Sequence, residues 1–66
     1  MTNPLPRPTM GKLARANEAH RLTRIVSQGV EVGARAFDLG LYGDAAAAFF
    51  NVTEACRALR KLEDEA

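Results

Sequence analysis

The sequence predicts an all-α protein, a two-helix antiparallel hairpin that follows an extended, Pro-rich N-terminal tail. Three observations lead there. All three prolines fall within the first eight residues, and after them apolar residues recur with helical period as far as Leu39. The stretch "GLYGDAAAAFF", residues 40–50, breaks that pattern once with paired glycines, and a second helical pattern then continues to Leu62.

The tail comprises residues 1–9. In "TNPLPRPT" each proline fixes its own φ and pushes the residue before it away from helical geometry, so the stretch is expected to be extended. "PLPRP" could serve as a polyproline ligand for an aromatic groove; the plainer reading is a helix stop. Thr9 is a plausible N-cap, and no proline interrupts residues 10–39, the expected first helix.

Two stripes can be counted on that helix. Asn17, Arg21, Arg24, Gln28, Glu31, Arg35 and Asp38 alternate spacings of four and three, which places them on one water-facing side. Leu22, Ile25, Gly29, Val32, Ala36 and Leu39 repeat as a heptad, widened by Val26, Val30, Gly33 and Phe37. A glycine inside a helix costs about 1 kcal/mol relative to alanine, so Gly29 and Gly33, followed by Ala36 and Gly40, call for a reason. Small residues at this spacing form a helix-packing groove that another helix, or a ring projecting from it, can approach closely.

Residues 40–44 form the expected turn. Gly40 suits a left-handed C-terminal cap, Leu41 and Tyr42 make the corner, and Asp44 is a candidate N-cap for a second helix over residues 45–62. That helix has an inner stripe of Ala45, Ala48, Phe49, Val52, Cys56, Leu59 and Leu62. Consecutive residues point about 100° apart around a helix, so Phe49 and Phe50 cannot share a pocket. Phe49 is assigned to the glycine groove and Phe50 to a second surface.

The spacing Val32-Gly33, then Gly40-x-Tyr42-x-x-Ala45-x-x-x-Phe49, resembles one tetratricopeptide repeat. In that family a small residue of the first helix receives an aromatic from the second, and Gly-x-Tyr sits near the turn. The likeness spans roughly residues 26–59. It departs from the pattern at Val52, where a small residue is usual, and at Arg57, where proline commonly ends the unit; the chain holds no second copy. The resemblance implies hairpin geometry, and such repeats need neighbours to cover their inner faces. In size and simplicity the chain is also similar to small phage-encoded inhibitors of host proteins, among them helical anti-quorum-sensing proteins that bind a LuxR-type activator. That similarity implies an inhibitor of a host transcription regulator.

Composition narrows the functional classes. Sixty-six residues make one domain at most, and a chain this short buries only about 60% of the surface its unfolded form exposes. Help normally comes from disulfides, a metal or a second chain. One cysteine, Cys56, and one histidine, His20, allow no intrachain disulfide and no metal-ligand cluster. Self-association into a homodimeric four-helix assembly is therefore expected. Cys56, on the inner stripe, is expected to act as a small shielded hydrophobe.

No convergent carboxylates and no Gly-rich loop after a strand supply a catalytic site, so the protein is expected to be non-enzymatic and to need no cofactor. No apolar run reaches the ~20 residues of a membrane span, and "MTNPLPRP" lacks the apolar stretch of a secretory signal. A cytoplasmic protein without membrane association is the expectation. The net charge of +1 is unevenly divided: residues 1–36 hold six basic and two acidic side chains, a net +4, and residues 37–66 hold three basic and six acidic, a net −3.

The function expected from these features is protein–protein interaction, with Arg21, Arg24, Tyr42 and Phe50 as partner-binding residues and another protein bound, then blocked or adapted. The alternative sets "KLARANEAHRLTR" against nucleic-acid phosphates. A pI near 8.0 and an acidic second helix make that the poorer electrostatic fit.

Overall fold

The computed structural model describes residues 11–65. Over that range the chain forms two helices, α1 (Lys12–Asp38) and α2 (Tyr42–Asp64), which pack antiparallel against each other, with no strand among the described residues. The tail at residues 1–9 and the Thr9 cap lie outside the described residues. The first residue in view, Gly11, is extended, and its carbonyl accepts the Arg15 amide at 2.8 Å, opening α1 without a side-chain cap.

The reversal between the helices is tighter than the sequence suggests. Gly40 has φ +77°, the left-handed conformation that glycine adopts without a Cβ penalty. The Gly40 amide donates to the Phe37 carbonyl at 3.0 Å and the Leu41 amide to the Ala36 carbonyl at 2.8 Å, the paired bonds of a Schellman cap. Leu41 then precedes α2 directly, its carbonyl accepting the Ala45 amide at 2.9 Å. Helix α2 thus starts at Tyr42 rather than at residue 45. Asp44 is not the N-cap; it sits in the first turn and makes no capping hydrogen bond. Its negative charge there still favours the helix N-terminus electrostatically.

The seam between the helices is made of small residues. Leu22, Ala36, Ala45, Ala48 and Ala55 are buried, together with Gly33. A Cβ added at Gly33 would lie 2.6 Å from Phe49 Cε1, so the Phe49 ring rests on the α1 backbone at that point. A Cβ at Gly29 would lie 2.5 Å from Val52 Cγ2 and 3.4 Å from the Ala48 carbonyl oxygen. Gly40, expected in the same groove, meets nothing within 4 Å of a Cβ position; it serves the turn and not the seam.

Six members of the expected stripes are exposed, Val30, Val32, Phe37 and Leu39 from the first helical pattern and Phe49 and Cys56 from the second, while Gly33 and Ala55, adjacent to Val32 and Cys56, are buried. Cys56 is therefore not shielded. Helices that approach closely must meet through their smallest side chains, and closeness wins dispersion contacts that bulkier residues would hold apart.

Candidate functional site

The expected partner-binding residues come from separate parts of the hairpin. Arg21 and Arg24 project from the flank of α1 and border a shallow depression of about 420 Å3 with Asn17, His20, Ile25 and Gln28. Arg21 is already engaged: its Nε donates to Glu18 Oε1 at 2.9 Å and its Nη2 to Oε2 at 2.6 Å, a two-pronged ion pair one helical turn apart. The Arg21 hydrogen bonds hold the Glu18 carboxyl below its ordinary range, and the same contact raises the Arg21 guanidinium. Arg21 is thus paired within its own helix, although its side chain stays 59% exposed. Among the described residues Arg24 forms no ion pair.

Tyr42 lies at the turn, where its ring meets that of Phe37 with centroids 5.5 Å apart and planes tilted by 55°. Phe50 stands on the outer side of α2, 62% exposed, between Ala46 and Ala47 one turn before it and Glu54 one turn after. At a rise of 1.5 Å per residue, Arg24 is about 21 Å along α1 from Asp38. The arginines therefore do not combine with Tyr42 into one site. Gly29, Gly33 and Ala36 lie along the hairpin seam, and the Phe49 ring, 40% exposed, covers Gly33 at its edge.

The hairpin has two sides of contrasting chemistry. On one, Ile25, Gln28 and Val32 of α1 border Ala48 and Asn51 of α2, with Glu54 close to Leu22 and Ala55. This side is mixed, its polar groups interleaved with aliphatic ones. The other side holds the Phe37–Tyr42 pair, the Phe49 ring over Gly33 and, at the open end, a trough of about 650 Å3. Ala16, Ala19, Cys56, Leu59 and Leu62 supply the apolar part of that trough, and Lys12, Arg15, Arg60 and Glu63 its charged rim.

Sequence reasoning missed that the α1 flank of the second side carries no charge from Ala16 to Phe37; on α2 charge enters only past Cys56, at the trough, with Arg60 and Glu63. A signal was present: Ala16, Ala19, Thr23, Val26, Val30, Ala34 and Phe37 follow one another at spacings of three and four without a charged residue.

Among the described residues no group of three or more His, Cys, Asp or Glu side chains is placed to hold a metal ion, and no described helix is long and apolar enough to cross a membrane. No protein-family model, curated protein or solved structure matches the chain.

Proposed function

We propose that the chain is a non-enzymatic protein-interaction module, which works as a homodimer and binds another protein so as to block or adapt it. One observation carries this reading: the hairpin leaves its aromatic residues outside. Phe37, Tyr42, Phe49 and Phe50 are each at least 40% exposed, whereas the buried set contains Leu22 and otherwise only glycine and alanine. An exposed aromatic surface of this extent is characteristic of protein interfaces, where rings supply large contact area at little cost in side-chain freedom.

Phe50 is the anchor assigned to the partner. It projects from α2 beside Ala46 and Ala47, small neighbours that let a partner approach the helix while the ring enters a pocket. Arg24 offers a second, charged contact for an acidic partner. The similarity in size and form to small phage-encoded inhibitors supports the same class of action, with a transcription regulator of the host as the target.

Affinity capture from the native host's lysate, with and without nuclease, tests the reading. Capture of a protein that survives nuclease and is lost with Phe50→Ala is the expected result. Loss of every captured protein on nuclease treatment overturns the reading in favour of nucleic-acid binding.

A further inference from the structure

We infer that the second copy of the chain sits on the uncharged side of the hairpin, face to face, and that the mixed side stays outside the dimer. The inference rests on the homodimeric reading above and names the surface that reading requires.

Helical spacing gathers Ala19, Thr23, Val26, Val30, Ala34 and Phe37 on one flank of α1, and Tyr42, Ala46, Phe49, Thr53 and Cys56 on the facing flank of α2. Phe37 touching Tyr42, and Phe49 lying over Gly33, tie the two flanks into one surface. Its hydroxyls are largely spent within the chain. Thr23 Oγ1 donates to the Ala19 carbonyl at 2.8 Å, and Thr53 Oγ1 donates to the Phe49 carbonyl at 3.0 Å. Both threonines can therefore present their methyl groups outward without leaving a donor unpaired.

Charge selects the occupant. In a two-fold dimer the same patch appears on both sides of the interface, so a charge near the axis meets its own like. This side avoids that clash from Val26 to Phe37 on α1 and from Tyr42 to Cys56 on α2; charge enters only at the trough, with Lys12, Arg15, Arg60 and Glu63. The mixed side would bring Glu54, near Leu22 and Ala55, into such an interface.

The area is also sufficient. From Ala16 to Phe37, the trough and its charged rim included, the side is about 32 Å long at 1.5 Å per residue, and two helices 8–10 Å apart make it about 20 Å wide. The footprint is roughly 600 Å2 per copy, or about 1,200 Å2 for both, at the lower bound of specific, stable interfaces.

The test compares two exposed valines on the same helix: Val30, 47% exposed on the uncharged side, and Val32, 54% exposed on the mixed side. Sedimentation equilibrium of the full chain is expected to give a dimer, with Val30→Lys weakening it at least tenfold and Val32→Lys leaving it unchanged. Thr53→Lys, on α2 and exposed, should repeat the effect of Val30→Lys, and helical circular dichroism identifies any variant that unfolds as a monomer. A dimer dissociated by Val32→Lys, or one indifferent to both Val30→Lys and Thr53→Lys, overturns the assignment of the surface but leaves the homodimer standing. A folded parent that stays monomeric at every concentration overturns the homodimer itself.

Discussion

Near the turn the two helices meet through Gly29, Gly33, Ala36, Ala45 and Ala48, whereas no described residue is buried before Leu22 in α1 or after Ala55 in α2. The open end is not poorer in apolar side chains. Leu59 and Leu62 lie there, half-buried, beside the trough of about 650 Å3. The contrast shows that apolar content alone does not close a helical pair. Closure near the turn comes from residues small enough to bring two backbones together.

The sharpest way to break this contrast is to enlarge one small residue in each half. Val52 Cγ2 occupies the space at Gly29, and a β-branched side chain has little rotamer freedom with which to retreat. Gly29→Leu is expected to cost about 3 kcal/mol, while Ala14→Leu, at an exposed position of the open half, should stay within about 0.5 kcal/mol. Urea melts at one fixed protein concentration measure both; equal losses would mean that the halves are packed alike.

A somewhat smaller effect is expected at Gly33. Its obstacle is the Phe49 ring, which is 40% exposed and has room to move. Gly33→Leu should destabilise by roughly 1 to 3 kcal/mol from overpacking, opposed by about 1 kcal/mol of better helix propensity. Combining it with Phe49→Ala should recover most of the loss, since the two changes share one space. If Gly33→Leu melts above the parent, the ring is not held against α1.

Gly40→Ala tests the turn itself. A side chain in the left-handed region costs about 1 to 2 kcal/mol, so a loss near 1 kcal/mol is expected from the same melts. The closed half should suffer first, with amide exchange rising in residues 33–49 before it rises near Leu22.

The smallest effect belongs to the exposed ion pair on α1. Because Arg21 holds the Glu18 carboxyl below its ordinary value of 4.5, the favourable contribution is complete above that pH and fades as pH falls through the lowered value. Proton titration of Glu18 by NMR should show its midpoint rising in Arg21→Ala. An unmoved midpoint would mean that the pair does not persist in solution.

Much of this architecture was legible in the sequence. The helical period of residues 17–38, the single break at Gly40 and the polar stripe from Asn17 to Asp38 all follow from side-chain chemistry repeated at fixed spacing. The start of α2 was less legible because Tyr42, Gly43 and Asp44 look like turn residues; the Schellman cap completes the reversal before them, freeing all three for the helix. The seam was misjudged where two apolar neighbours compete. Val32 and Gly33, or Ala55 and Cys56, are 100° apart, and hydropathy favours the larger member while close approach favours the smaller. The Arg21–Glu18 pair was also hidden, since reading Arg21 within the polar stripe passed over the carboxylate three residues before it.

The ring contact at the turn equips the protein with an internal optical probe. The chain has no tryptophan and one tyrosine, Tyr42, whose ring lies 5.5 Å from Phe37. Excitation near 280 nm is therefore absorbed almost wholly at one locus, beside the Schellman cap, while far-ultraviolet circular dichroism averages over both helices. Under heat or denaturant the two signals separate if the open end frays before the turn gives way, the helical signal falling while tyrosine emission holds. Their coincidence instead marks a hairpin that melts as one unit. A single unlabelled sample thus resolves the order in which its ends come apart.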